Sequence, residues 1–152
     1  MRKKLLLIED DAGIAALLPA VLRPLGFEVL HAADCRKAAE IAAAHAEEIL
    51  VTFCDVLLPD GPGAGAARIV RQHCPGMRTI FTSGYPMDVL SERGLLSRDT
   101  LFEFQAGYLP KPFLPRDVRG MIELALETNG APATIFAIGG ADSQRSYAGR
   151  AY

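Results

Sequence analysis

The chain has 152 residues, half of them hydrophobic and 22% charged, which is enough for one domain with its own core and too apolar for a disordered polymer. Its formal net charge of −2 argues against a dedicated nucleic-acid surface, which needs clustered Lys and Arg. No apolar run nears the roughly 20 residues that span a bilayer. Cys35, Cys54 and Cys74 lack the CxxC spacing of a zinc site and cannot all pair, which fits thiols in a reducing cytoplasm.

Taken in chain order, Lys4–Ile8 is a short continuous apolar run stopped by Glu9-Asp10-Asp11, the pattern of a strand buried on both faces. The preceding basic residues imitate the start of a signal peptide, but the apolar stretch is too short for that reading. From Asp11, suited to cap a helix, Ile14, Leu17, Leu18, Val21, Leu22 and Leu25 recur at helical spacing up to Gly26. Pro19 inside this helix is expected to kink it. Phe27–His31 reads as a second strand, and an alanine-rich helix runs from Asp34 to about Glu47.

Ile49–Cys54 reads as a third strand ending in one carboxylate, Asp55, before the loop breakers Pro59, Gly61, Pro62 and Gly63. A helix is expected over Ala64–His73 and a strand over Arg78–Thr82, closed by Ser83-Gly84-Tyr85-Pro86. The stretch 87–104 reads as one helix near Asp88–Arg93 and then a long irregular connection. Ala106–Leu109 is a short fifth strand before Pro110-Lys111-Pro112, and a final helix spans Pro115–Glu127 with Pro at its first turn. Past Thr128, Asn129-Gly-Ala-Pro132 looks like a linker. Residues 128–152 are thus separate from the 1–127 domain, and two readings stay open for them: a flexible tail, or an extended segment added to a sheet edge or a neighbouring molecule.

Strands alternating with helices predict an α/β fold, a doubly wound parallel sheet. Right-handed crossovers place all strand C-termini on one edge, where such sheets bind ligands. That edge gathers Glu9, Asp10, Asp55, Ser83 and Lys111. Converging carboxylates with no nitrogen or sulfur ligand suit Mg²⁺, a hard cation that keeps several waters and favours phosphoryl oxygens. Lys111 adds a point charge suited to phosphate, Ser83 a hydroxyl, and Gly84 close approach of its backbone N–H. Asp55, the isolated carboxylate, is the candidate nucleophile of a phosphoryl transfer. His31, His45 and His73 are not spaced as ligands, and Cys54 reads as a small packed side chain.

Four ordered motifs, Leu7-Ile-Glu9-Asp10-Asp11, Asp55-Val-Leu-Leu-Pro59 with Gly63, Phe81-Thr-Ser83-Gly84-Tyr85 and Tyr108-Leu-Pro-Lys111-Pro112-Phe113, strongly resemble the receiver domain of bacterial two-component response regulators. The resemblance covers about residues 3–127. It implies a flavodoxin-like five-stranded sheet of order 2-1-3-4-5 and Asp55 as phosphoacceptor. Glu9, Asp10, Asp55 and the Leu57 carbonyl would be the Mg²⁺ ligands, and Leu57 and Gly84 would border the phosphate. It further implies Ser83 and Tyr108 as switch residues, Lys111 as phosphate partner, and a cis bond before Pro112. The donor would be a histidine kinase or histidine phosphotransfer protein, and the output a contact with a downstream protein rather than DNA or membrane; a homodimer through the last helix and tail stays open. Such a domain catalyses its own phosphorylation without being a turnover enzyme.

Two departures stand out. Extra residues in Gly94–Gln105 should remodel the fourth helix. Leu57 and Tyr85, flanking the acid and the hydroxyl, have no carboxylate or amide to orient water, which predicts slow dephosphorylation. The alternatives are a Mg²⁺-dependent aspartyl-phosphate phosphatase of the haloacid-dehalogenase type, whose D-x-D on the first strand is missing here, and a receiver-like binding module that is never phosphorylated.

Overall fold

The structure, a computed structural model, describes residues 3–127 in full and the backbone of 134–138 and 146–150. Strands β1 (Lys3–Ile8), β2 (Phe27–Ala32), β3 (Ile49–Asp55), β4 (Arg78–Ser83) and β5 (Gly107–Pro110) pair in parallel in the order β2-β1-β3-β4-β5. This is the doubly wound order expected from the sequence. Helices α1 (Ala12–Leu22), α2 (Cys35–Ala44), α3 (Gly63–His73), α4 (Met87–Glu92), α5 (Arg98–Phe104) and α6 (Pro115–Glu127) fill the connections.

Period-two alternation in the buried strands feeds two cores. Leu5 and Leu7 of β1 face the same side as Phe53 and Ile80, where α1 and α6 bring Leu18, Leu22, Met121 and Ile122. Leu6 and Ile8 face the other side with Cys54 and Phe81, covered by Ala38 and Ala42 of α2 and Ala67 and Val70 of α3. Phe53 meets Phe113 edge to face at 5.9 Å. With both sheet faces covered, only the strand ends remain for chemistry.

The structure corrects several boundaries. Pro19 lies inside α1 as expected, and the helix tightens into a 3₁₀ turn over Arg23–Leu25 before Gly26 stops it at φ +92°; α2, expected to run to about Glu47, ends at Ala44. Immediately after Asp55 the loop folds into a two-residue antiparallel ladder, Leu57–Leu58 against Gly61–Pro62. The connection expected to be irregular holds a second helix, α5, capped by Ser97 Oγ accepting from Thr100 N–H and closed by Gln105 in the left-handed region. Within the segment left open between a tail and a sheet-edge strand, Thr134–Ile138 (β6) pairs parallel to β5 and Ser146–Arg150 (β7) pairs antiparallel to β6, which extends the five-stranded sheet to seven. The rest of 128–152 lies outside the described residues. Among the described residues no helix is long and apolar enough to cross a membrane.

Candidate functional site

Register puts the site together. Ile8 lies opposite Cys54, and Asp55 opposite Thr82, so β1, β3 and β4 end nearly level. Beyond them Ser83 lies opposite Pro110, and Lys111 N–H donates to the Ser83 carbonyl at 2.8 Å. The chain then turns through a cis Lys111–Pro112 bond. Lys111 Nζ reaches back to Asp55 Oδ2 at 2.8 Å and to Glu9 Oε2 and Oε1 at 3.2 and 3.3 Å. One ammonium thus bridges carboxylates from two other strands.

Glu9 is buried, and its Oε1 accepts Asp11 N–H at 3.1 Å. Its Oε2 is buried without a hydrogen bond of good geometry, although Lys111 Nζ stands nearby. Burial, then the charge of Asp55, raises the Glu9 carboxyl to about 7, against the opposing pull of Lys111. Burial draws the Lys111 ammonium down, but its hydrogen bond to Asp55 and the charges of Asp55 and Glu9 outweigh this and raise it. Carboxylate oxygens of Glu9, Asp10 and Asp55 lie within 4.8 Å of one another, with Asp10 exposed and the other two buried. The set fits Mg²⁺: it offers only oxygens, one of them buried and unsatisfied, and opens to water through Asp10.

Asp55 Oδ1 accepts Leu57 N–H at 3.0 Å, and Val56 N–H donates to the Thr82 carbonyl at 2.9 Å. Gly63 packs so tightly beneath this turn that a Cβ would stand 1.9 Å from the Asp55 carbonyl oxygen. Cys54, buried there as expected, places Sγ 3.3 Å from the same oxygen, and burial raises its thiol well above the ordinary range.

On β4 the two hydroxyls divide. Thr82 Oγ1 donates to the buried Leu109 carbonyl at 2.7 Å, whereas Ser83 Oγ accepts Tyr85 N–H at 3.0 Å. Tyr108 is buried, and its hydroxyl donates to the Tyr85 carbonyl at 2.5 Å. Burial raises that phenol to about 12. Tyr85 therefore joins Ser83 to Tyr108. A Cβ at Gly84 would meet nothing within 4 Å, so the space above it is open. Two further contacts were not legible from residue types. His31 Nε2 lies 2.8 Å from the Glu9 carbonyl, and Asp60 binds the start of α2. Both use backbone groups, which have no residue signature.

The family model for the response regulator receiver domain matches residues 5–123. The chain belongs to that family. The receiver is 30% identical over 122 residues to the sensor kinase CckA of Brucella abortus (strain 2308), a match covering 80% of this chain and 12% of the relative. It is 27% identical over 146 residues to the DNA-binding response regulator MtrA of Mycobacterium leprae (strain TN), covering 93% of this chain and 60% of the relative. The chain thus spans only part of the curated relatives it matches. Among solved structures, the receiver domain of the hybrid histidine kinase CckA superposes with TM-score 0.65 at 25% identity, covering 81% of this chain and 98% of that one. A CheY-like receiver protein from Methanospirillum hungatei JF-1 gives the same TM-score and identity, covering 86% and 98%.

Proposed function

We propose that this receiver accepts a phosphoryl group on Asp55, in a Mg²⁺-dependent reaction, from the phosphohistidine of a histidine kinase or phosphotransfer protein. The observation that carries the reading is the Lys111 ammonium joined to both Asp55 and Glu9 from a third strand. An Asp55 oxygen forms the new bond to phosphorus as the P–N bond of the donor breaks, its electron pair staying on the imidazole. Glu9, Asp10, Asp55 and the Leu57 carbonyl would hold Mg²⁺, which when bound supplies positive charge to the phosphoryl oxygens. Lys111 balances charge on the other side, and Leu57 N–H keeps Asp55 oriented. Ser83 Oγ, now accepting from Tyr85, is the hydroxyl that turns to the phosphoryl group; the resulting change at Tyr85 passes to Tyr108. Leu57 and the open N–H of Gly84 border the phosphoryl group.

The output on this reading is a contact with a protein target, made by a 1–127 receiver with the 128–152 segment appended, in the cytoplasm. The domain modifies itself and does not turn over substrate. Since neither Leu57 nor Tyr85 can orient water, the acyl phosphate persists for minutes or longer; loss within seconds would contradict this. Incubation with acetyl phosphate and Mg²⁺, followed by intact mass measurement, tests the reading. A gain of one phosphoryl group that needs Mg²⁺ and vanishes in Asp55→Asn supports it. No adduct on the wild type favours a module that is never phosphorylated.

A further inference from the structure

We propose that Asp60 is a positioning residue for the cation site, tying the loop that carries Leu57 to the N-terminus of α2. The proposal rests on the assignment of the Leu57 carbonyl to Mg²⁺ made above. A helix begins with N–H groups that have no partner within it. In α2 the local cap is ordinary: Asp34 Oδ1 accepts Lys37 N–H at 2.7 Å. The first two N–H groups are satisfied from a distance. Cys35 N–H donates to Asp60 Oδ1 at 2.8 Å, and Arg36 N–H to Asp60 Oδ2 at 3.1 Å. These bonds, from Cys35 first, hold the Asp60 carboxyl below its ordinary range. A solvent-facing carboxylate with both oxygens engaged by one helix end acts as a tether, favoured also by the positive end of the helix.

The tether matters because of what the loop bears. Its ends are fixed by Val56 N–H on the Thr82 carbonyl and Gly63 N–H on the Val56 carbonyl at 2.7 Å. Between them stand the short ladder, the buried Leu58 and a tip at Pro59–Asp60 followed by Gly61 at φ +152°, a conformation that L side chains rarely adopt. Leu57 meets Asp55 through its N–H and would meet the cation through its carbonyl. Such outer partners orient the direct ligands of a metal. Without Asp60 the freed N–H groups of α2 lie at an exposed helix end where water replaces the carboxylate, so the loss falls on the loop more than on the fold.

Asp34 supplies the matched control, because it caps the same helix end without touching the loop. The test uses the full chain, labelled with ¹⁵N and titrated with Mg²⁺ while the loop amides are followed by NMR. Asp60→Ala weakens Mg²⁺ binding about tenfold, within the range for lost outer partners of a metal site. Asp34→Ala leaves Mg²⁺ affinity unchanged. Asp60→Asn, which keeps one acceptor oxygen and turns an NH₂ toward Arg36, falls between wild type and Asp60→Ala. In metal-free protein, exchange of the Cys35 and Arg36 amides accelerates in Asp60→Ala. Unchanged Mg²⁺ affinity in Asp60→Ala, equal weakening in Asp34→Ala, or amide exchange indifferent to Asp60 would each overturn the positioning role. Failure of the wild type to bind Mg²⁺ would overturn the cation site itself, and the exchange data would still decide separately whether the tether exists.

Discussion

The loop after Asp55 and the connection from β4 to β5, which carries α4 and α5, both leave the same edge of the sheet, yet they are held in different ways. Residues 56–63 are fixed by backbone hydrogen bonds, by the close approach of Gly63 to the Asp55 carbonyl and by the reach of Asp60 to α2. The 84–106 connection is held by side chains: Leu90, Leu96, Leu101 and Phe104 are buried in the core, and its surface is pinned as well. Arg71 donates to the Glu103 carbonyl and pairs with its carboxylate at 2.9 Å, Arg68 pairs with it at 3.6 Å, and Arg71 covers the Phe104 ring at 4.3 Å. Inside, Phe104 lies 5.7 Å from Phe81, edge to face. The region that carries chemistry is built from short-range steric and backbone constraints. The 84–106 connection is attached by side-chain packing and ion pairs.

The largest expected effect is at Lys111. Lys111→Ala removes the one ammonium of the cluster, and the rate of phosphorylation by acetyl phosphate at saturating Mg²⁺ falls about 10²–10³-fold, the scale of a lost charge-stabilising donor. A change of less than a few-fold would place the electrostatics of the site elsewhere.

Next comes Cys35 beside the loop, whose thiol is raised to about 11 by burial first and then by the hydrogen bond and charge of Asp60. Only the thiolate reacts, so at pH 8 its alkylation runs about a hundredfold slower than that of a thiol at pH-matched ordinary acidity. The rate then climbs with pH toward 11. Asp60→Ala shifts that profile to lower pH; an unshifted profile would mean that Asp60 exerts no field on the thiol.

Gly63→Ala forces a methyl against backbone and costs about 1–3 kcal/mol, the usual range for overpacking. Denaturant melts measure this, and a neutral outcome would show that the loop yields more easily than its geometry implies.

The smallest effect is in the other region. Glu103→Ala cuts exposed ion pairs and costs about 1 kcal/mol or less, after solvent screening. Phosphorylation by acetyl phosphate stays at the wild-type rate. Should Glu103→Ala destabilise the fold as much as Gly63→Ala does, the contrast between the two regions would collapse.

The same contrast decides what could be read in advance. Asp55, Lys111 and the acidic end of β1 were legible because each abruptly ends an apolar run, and strand ends of a parallel sheet must meet at one edge. Helix α5 was missed although Ser97 caps it, because Leu95-Leu96 and Leu101-Phe102 blur its apolar spacing within a few residues. Asp60 was invisible for another reason. It sits in a Pro/Gly turn where aspartate is commonplace, and its partners are backbone amides of a helix distant in sequence. The pairing of β6 with β5 left no signal beyond the apolar stretch Thr134–Ile138.

The most direct test of the central claim is chemical localisation of the phosphoryl group. The phosphorylated protein is reduced with borohydride, which converts an aspartyl phosphate to homoserine, and then digested and sequenced by mass spectrometry. Homoserine is expected at position 55, with unmodified aspartate at positions 10, 11 and 60. Homoserine at any of those three, with Asp55 intact, would contradict the claim.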